Sequence, residues 1–438
     1  MNLWGGMMLV GLSFLTGVAW PVAAAAQQND SCVICHLATG DERLMRPVKA
    51  FREDVHAARG FSCVSCHGGD PQEAGMEAMD PAKGYIGIPQ RQDLPQVCGR
   101  CHSDAQFMKR YNPALRVDQV SEYYTSAHGR LLKEFDDPKV ATCASCHLAH
   151  SIRPPSDPTS SVHPLRVAEM CGRCHADAAY MQSYGIPTDQ LQKYQESVHW
   201  RTLSVRGDLS APTCNNCHGN HGAVPPGVSW VGNACGLCHT VQADFFNQSA
   251  HAAIFVQMGA PGCAPCHTNH AMRETNDEML GLGDSAVCTT CHAAEDTGGK
   301  VAAEMRQRLD TLQREYDKAH NILLRAEHAG MEVSQAQVEL QEGKTALIKA
   351  RTAMHTFTVA TVQQAIEPGL SVSTKAYARG VKALDELRFR RTGLGVSVII
   401  ILAIIVGLRV KIRQLERRET DRPRPGDHGT ESERRRMS

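Results

Sequence analysis

The segment Cys143-Ala144-Ser145-Cys146-His147-Leu148-Ala149-His150 shows the pattern that decides the fold of this 438-residue chain. Two cysteines stand three positions apart, a histidine follows the second one, and another histidine comes three residues later. All 18 cysteines of the chain belong to Cys-x-x-Cys-His motifs of this kind. The chain therefore contains nine copies of one motif.

Cys-x-x-Cys-His is the attachment signature of c-type haem. The two thiols add to the vinyl groups of one porphyrin, and the adjacent histidine binds the iron as its proximal ligand. Disulfides and structural zinc do not require that histidine, and a thioredoxin-like redox motif would not occur nine times. The sequence therefore predicts nine covalently bound haem c groups. The predicted thioether cysteines are Cys32, Cys35, Cys63, Cys66, Cys98, Cys101, Cys143, Cys146, Cys171, Cys174, Cys214, Cys217, Cys235, Cys238, Cys263, Cys266, Cys288 and Cys291. The predicted proximal ligands are His36, His67, His102, His147, His175, His218, His239, His267 and His292.

Eight of the motifs form an internal repeat. Each unit contains a first haem motif, a lone histidine and a second haem motif; in units two to four a trailing histidine follows three residues later. Unit one has Asp70 at the trailing position, and the ninth motif, residues 288–292, stands alone. The lone histidines are His56, His128, His199 and His251, and the trailing ones are His150, His221 and His270.

A haem that only transfers electrons uses a second axial ligand, and a second imidazole leaves no room for substrate. We therefore predict that the lone and trailing histidines are distal ligands. His163 joins them, because it could replace the trailing histidine that unit one lacks. The ninth distal ligand is then missing, and His320, His355 or a methionine could supply it. The pairing of histidines with haems stays open at this stage.

Composition changes divide the chain into segments. Residues 1–26 are apolar and end in Ala24-Ala25-Ala26, which predicts a secretory signal peptide; because they lack Lys and Arg, an uncleaved anchor is the alternative. Residues 27–300 are the predicted nonahaem cytochrome domain. With about 30 residues per haem they cannot build a thick apolar core, so we expect short helices and loops wrapped around stacked haems.

Residues 301–391 are rich in helix formers and predict a helical hairpin or stalk. Met305, Leu309, Leu312 and Tyr316 follow a spacing of four and three, which places them on one helix face. A second apolar run is predicted to end at Pro368-Gly369. The resulting fold class is mostly α and irregular, with a haem-wrapping domain followed by the hairpin and a transmembrane helix.

Residues 392–410 are the predicted transmembrane helix. The uninterrupted apolar stretch of about 17 residues spans roughly 26 Å, and flanking arginines can snorkel to close the gap to a bilayer core. A buried core helix is the alternative. Residues 411–438 are a basic tail, cytoplasmic by the positive-inside rule, which leaves the haem domain in the periplasm.

The net charge of zero is unevenly spread, since residues 27–300 carry 29 acidic and 22 basic side chains. This acidic balance argues against a nucleic-acid partner, which needs a basic surface. It suits docking to a basic redox protein.

The succession of Ser-x-His, Cys-x-x-Cys-His-x-x-His and Cys-Gly-x-Cys-His resembles the periplasmic multihaem cytochrome c family over about residues 30–295. The resemblance implies bis-histidine haems stacked in pairs, and a partner such as a membrane cytochrome b or quinol-oxidising subunit. It also implies that His128, His150, His163, His199, His221, His251 and His270 are distal ligands. Quinol-oxidising members usually have an N-terminal anchor, whereas the predicted anchor here is C-terminal.

The sequence therefore predicts an electron-transfer protein of a respiratory chain, held in the cytoplasmic membrane by one helix. It would relay electrons from a quinol oxidase or dehydrogenase to a downstream cytochrome, reductase or outer-membrane acceptor. The alternative is a multihaem redox enzyme of the nitrite or hydroxylamine type with one open haem. A tethering scaffold is a third possibility.

Overall fold

The structure is a computed structural model that describes residues 30–224 and 231–420. The predicted signal peptide and residues 421–438 of the predicted tail lie outside the described residues. Within the described ranges the chain forms helices and loops, with no β-strand. The predicted fold class, mostly α and irregular, is confirmed.

Short helices predominate up to residue 275, and three long helices follow. The α-helices are α1 (Ser31–Ala38), α2 (Glu42–Phe51), α3 (Cys63–His67), α4 (Leu94–His102), α5 (Ala105–Lys109), α6 (Gln119–Thr125), α7 (Ala127–Phe135), α8 (Cys143–His147), α9 (Pro164–His175), α10 (Ala178–Met181), α11 (Gln190–Gln195), α12 (Val198–Ser204), α13 (Cys214–His218), α14 (Val231–Gly236), α15 (Thr240–Asn247), α16 (Ala250–Gln257), α17 (Ala264–His267), α18 (Thr297–His328), α19 (Ser334–Ala353) and α20 (Val359–Thr420).

The second haem motifs of units one to three form one-turn helices of their own, α3, α8 and α13. Each follows a Ser or Thr that makes a capping box with the residue just before the second cysteine. In α8, for example, the backbone N–H of Thr142 donates to Oγ of Ser145 at 3.1 Å. This local bonding explains how five residues hold a helical turn without a long helix around them.

The first haem motifs of units two and three instead form the C-terminal ends of the longer helices α4 and α9. Both helices have a proline in their first turn, where the missing N–H costs nothing. In units two and three, the sequence repeat is thus also a structural repeat: a longer helix that ends in a haem motif, then a one-turn helix formed by the second motif.

The helices α18, α19 and α20 pack side by side around apolar seams. Met305, Leu309 and Leu312 are fully buried and contact Leu347 and Ile366 in one cluster. The predicted helical face of the first run is therefore confirmed. Helix α18 ends at His328, and Gly330 follows with φ of +80°, as expected for a glycine that terminates a helix.

The prediction that Pro368-Gly369 ends a helix is wrong, because α20 runs through both residues. Proline removes one backbone hydrogen bond, but α20 packs against both α18 and α19 at this level. A Cβ on Gly369 would lie 2.6 Å from Cβ of Ala346 and 2.9 Å from Cδ1 of Leu312. This close approach compensates for the lost bond, and the chain turns instead at Phe357, which has φ of +50°.

The described chain divides into two compact units. One comprises the described residues up to 243 and residues 251–275, and the other comprises residues 244–250 and the described residues from 276 onward. The ninth haem motif therefore belongs to the unit that contains the three long helices. Its preceding loop is fixed there by Asp277, whose carboxylate pairs with Arg351 at 2.8 and 2.9 Å.

The apolar part of α20 is a candidate single membrane span, the one found among the described residues. None of its most apolar window is buried in protein. Ile399, Ile401 and Leu402, for example, each expose more than half of their surface. The alternative of a buried core helix is therefore wrong.

Replacing Leu312 with alanine should destabilise the three-helix unit by about 2–5 kcal/mol, because it leaves a cavity in a site that has no exposure. Hydrogen exchange of peptides from residues 297–391 measures this as faster opening. Val338→Ala is the matched control, since Val338 in α19 is 71% exposed and its loss should change the opening free energy by less than about 0.5 kcal/mol. Equal effects of the two variants would contradict the packing described here.

Candidate haem sites

Within residues 30–224 and 231–420, ring contacts place six histidines of Cys-x-x-Cys-His motifs opposite a second histidine from elsewhere in the chain. The ring centroids of every pair lie 6.0–6.4 Å apart. The pairs, with the angles between ring planes, are His67 and His150 (8°), His147 and His221 (17°), His218 and His270 (8°), His199 and His239 (34°), His128 and His175 (63°), and His56 and His102 (89°).

This separation fits one metal ion between two imidazoles. An imidazole nitrogen binds a first-row metal at about 2.0–2.1 Å, and the ring centre lies about 1.1 Å behind the nitrogen. Two rings on opposite sides of one metal therefore have centroids about 6.2–6.4 Å apart. Direct stacking of two rings would bring them closer than the observed distances for the near-parallel pairs. The residues present fit a haem iron with two axial histidines.

The pairs follow one rule along the repeat. A lone histidine faces the first motif of the next unit, as His128 of unit two faces His175 of unit three. A trailing histidine faces the second motif of the preceding unit, as His221 of unit three faces His147 of unit two. Consecutive units therefore complete each other's sites, and neither partner is close to the other in sequence.

A backbone hydrogen bond repeats with the same offset. In units one to three, the residue before the lone histidine donates its N–H to the carbonyl two residues after the trailing histidine of the next unit. The bonds are Val55 to Ile152 at 2.8 Å, Ala127 to Ala223 at 2.9 Å and Val198 to Met272 at 2.8 Å. Each bond brings a lone and a trailing histidine of consecutive units side by side.

The serine of Ser-x-His is a helix N-cap. Ser126 is fully buried, accepts a hydrogen bond from the N–H of Gly129 at 2.9 Å and donates to the carbonyl of Tyr123 at 2.6 Å. Ser197 repeats this arrangement at the start of α12. The lone histidine is therefore fixed as the second residue of a capped helix.

A tyrosine three residues before that serine connects the same helix to the next motif. The hydroxyl of Tyr123 donates to the carbonyl of Ala141, and that of Tyr194 donates to the carbonyl of Pro212, both at 2.9 Å. Each acceptor lies two residues before the first cysteine of the following motif. Phe246 has the equivalent position in unit four and lacks the hydroxyl.

The pairing rule explains Asp70. A trailing histidine serves the preceding unit, and no unit precedes unit one in the repeat. Asp70 instead lies 3.6 Å from the ammonium group of Lys83. A trailing histidine of unit one would therefore have no second motif to face, and the assignment of His163 as a distal ligand stays a prediction.

His163 is not a member of the six pairs described above. It is buried at the N-cap of α9, and its Nδ1 accepts a hydrogen bond from the N–H of Leu165 at 3.3 Å. A neutral imidazole that accepts at Nδ1 carries its proton on Nε2, the opposite of the arrangement seen in a ligand that binds through Nε2.

The structure also describes contacts of the other three candidates. His251 lies in α16 with its ring edge against Phe255. His320 is exposed on α18 and stacks on Tyr316 with a centroid distance of 6.0 Å. Nδ1 of His355 donates to the carbonyl of Thr352 at 3.0 Å, which places the acceptor lone pair on Nε2.

Several imidazoles of the pairs are held in the neutral form and orientation that metal binding needs. Burial lowers the pKa of His128, His147 and His199 below the usual value. Nδ1 of His67 donates to the carbonyl of Gly87 at 2.9 Å, and Nδ1 of His218 donates to that of Val224 at 3.3 Å. Such bonds fix the ring and would leave Nε2 to bind a haem iron.

Within a unit, the first cysteines of the two motifs are in contact. Their thiols hydrogen-bond in three pairs: Cys98 with Cys143, Cys171 with Cys214, and Cys235 with Cys263. In unit one, burial, Asp30 and the nearby Cys63 raise the pKa of Cys32 to about 12. The two haem sites of each unit are therefore neighbours.

Successive units are also adjacent at their cysteines. Burial and the proximity of Cys98 and Cys101 raise the pKa of Cys66. The pKa of Cys146 is raised by burial and by Cys174, against an opposing effect of Arg173. Burial and the neighbouring Cys235 also raise the pKa of Cys217. The first eight motifs thus lie next to each other in chain order.

The family model of cytochrome c3 matches residues 55–176, which include four of these motifs and three of the six pairs with both members. Over these residues the chain is similar to a family of multihaem c-type cytochromes. The match implies covalently bound haem c and electron transfer as the work of this domain. No curated protein and no solved structure matches the chain.

Sequence reasoning missed Asp54, a buried carboxylate beside His56. The available signal was its position two residues before a lone histidine, where the other units have serine. It also missed the Ser and Thr caps before the second motifs, which the capping-box pattern could have revealed.

Replacing His150 with alanine should open one axial position at the haem of residues 63–67, because His150 faces His67. One high-spin ferric signal that responds to cyanide should appear in electron paramagnetic resonance (EPR) spectra. His320→Ala is the control, since that exposed ring stacks on Tyr316 and its loss should leave the spectrum unchanged. A spectrum of His150→Ala identical to that of the parent cytochrome would show that the pairing is incorrect.

Proposed function

We propose that this cytochrome is a membrane-anchored, nine-haem relay. It would carry electrons from a membrane quinol oxidase or dehydrogenase, through the periplasm, to a soluble or outer-membrane acceptor. The observation that carries the proposal is the set of six imidazole pairs at consecutive motifs, each with the spacing of a doubly ligated iron.

The six pairs would act as axial ligands, with both axial positions filled by protein. The haem iron supplies reversible one-electron chemistry when bound. The paired imidazoles would exclude substrate and water from a bound iron, and their buried surroundings favour the neutral, metal-binding form. A closed coordination sphere favours electron transfer over catalysis.

The adjacency of successive motifs supports a relay along the chain. The contacts between Cys98 and Cys143 within a unit, and between Cys66 and Cys98 across units, continue in the same order along the repeat. Covalent attachment would therefore bring each porphyrin close to the next one. Electrons could then move by short steps with no mobile carrier.

Outside the six pairs, the structure supports some of the proposed distal ligands more strongly than others. The lone His251 shares the sequence position of three paired histidines, which favours it as a ligand. Between the two stalk candidates, we propose His355 rather than His320, because the bond from its Nδ1 to Thr352 leaves the lone pair on Nε2. His163 lacks that arrangement, since its Nδ1 is an acceptor.

The membrane location rests on α20 and on charge. The exposed apolar stretch is followed by a basic tail, which favours a cytoplasmic C-terminus and a periplasmic haem domain. The proposed N-terminal signal peptide would support the same export. The acidic balance of residues 27–300 would favour a partner with a basic docking surface.

Spectroscopy of the full chain in detergent tests the proposal directly. We expect nine haem masses on the mature polypeptide, low-spin ferric signals throughout, and full reduction by quinol in native membranes. A high-spin haem that binds nitrite or hydroxylamine would instead support the enzyme alternative. A polypeptide without covalent haem would overturn both.

Introducing Arg at both Ile401 and Ile404 should release the chain from membranes, because each arginine at the centre of a span costs about 2.5–3.5 kcal/mol. Fractionation after alkaline extraction measures the soluble share. Leu415→Arg is the control and should stay in the membrane, since Leu415 lies beyond the apolar stretch, among basic residues. Retention of the double variant in the membrane would argue against a single span at this position.

A further inference from the structure

Asp54 replaces a residue that the other units share. The lone histidines of units two to four are preceded two positions earlier by Ser126, Ser197 and Ser249, whereas His56 is preceded by Asp54. The backbone clamp is the same, since Val55 bonds to Ile152 as Ala127 bonds to Ala223. Unit one therefore shares the backbone bond of the other units but has a carboxylate in place of the hydroxyl.

The carboxylate of Asp54 is only 1% exposed and accepts three hydrogen bonds. Oδ1 accepts from the N–H of His56 at 2.9 Å and from its Nδ1 at 2.8 Å, and Oδ2 accepts from the N–H of Ile152 at 2.7 Å. Three N–H donors face the carboxylate, and such donors favour its ionised form. Asp54 is thus an anion in direct contact with the ring of His56.

The other ring contacts within the six pairs differ from this one, although outside them Nδ1 of His292 lies 3.3 Å from a carboxylate oxygen of Asp296. Nδ1 of His67 and Nδ1 of His218 donate to neutral backbone carbonyls. Nδ1 of His199 is buried with no hydrogen-bond partner among the described residues. Glu122 lies 4.0 Å from Nδ1 of His221, beyond hydrogen-bond distance, and it also pairs with Arg116.

A carboxylate that accepts the Nδ1 proton makes the imidazole a stronger donor to a metal. A stronger donor stabilises the ferric iron more than the ferrous iron. Taking up one electron from a neighbouring haem then becomes less favourable at that iron, and passing the electron on becomes more favourable.

We propose that Asp54 is a positioning residue that makes the haem of residues 98–102 the lowest-potential haem of the six pairs. This inference rests on the proposed function, because it takes His56 and His102 as the axial ligands of that haem. Along the relay, this site would be an uphill step that electrons cross between two more easily reduced neighbours.

A reductive titration of the unaltered protein, with His56→Ala to assign the signal, provides the first test. The rings of His56 and His102 are nearly perpendicular, at 89°, whereas those of His67 and His150 are nearly parallel. Perpendicular imidazoles give a ferric EPR signal with a large maximum g value, and parallel ones give a rhombic signal. The large-g signal, assigned by its loss in His56→Ala, should disappear last in a reductive titration. If it titrates with or before the rhombic signals, the proposal is overturned.

Substitutions of Asp54 then test the effect of its negative charge. Asp54→Ser installs the residue that the other units use, and Asp54→Asn removes the charge with little change of shape. In either variant the ratio of reduced to oxidised haem at this site should rise about tenfold at a given potential, which corresponds to about 59 mV. An unchanged or lowered potential, or an equal shift of every haem, would overturn the proposal.

Glu122→Gln is the matched control, because it removes a nearby but unbonded carboxylate at His221 and should leave the potentials unchanged. Mass spectrometry of each variant shows how many haems are bound. It therefore separates a failure of the Asp54 proposal from a failure of the proposed function. A full haem complement with an unmoved potential refutes the role of Asp54 alone. Absence of haem from the parent protein refutes the proposed function itself.

Discussion

The structure of the first compact unit depends on pairs of imidazoles held about 6 Å apart. One ring of each pair follows two cysteines, and the other comes from a neighbouring unit of the repeat. With so few residues for each haem, apolar side chains alone cannot bury enough surface to order the loops. Covalent attachment and double ligation would supply the missing cohesion, because each haem would join two separate parts of the chain.

The offset between units has a structural consequence. In each of the six pairs the two histidines come from different units, so a unit in isolation would lack one member of each pair, as in other proteins built from stacked repeats. The clamp bonds, such as Ala127 to Ala223, reinforce the same interdependence at the backbone. The ends of the repeat must then differ from its middle, and Asp70 at the first trailing position is one such end effect.

The second unit is stabilised in an ordinary way. Its helices bury Leu312, Leu323 and Ile366 completely, and its long helix α20 continues into an apolar stretch with no protein around it. Small residues allow close helix contact, as at Gly369 against Ala346. Packing therefore tolerates Pro368 inside a helix, which local propensity alone disfavours.

The sequence by itself determined the cofactor chemistry, the repeat and the helical face of residues 305–323, because these depend on spacing between near neighbours. Only the tertiary structure decided that His150 faces His67 and that His128 faces His175, since these partners lie 83 and 47 residues apart. It also decided the course of α20 through Pro368 and the burial of Asp54 against His56. Ligand pairs and helix breaks of this kind depend on contacts between distant segments, which local patterns do not encode.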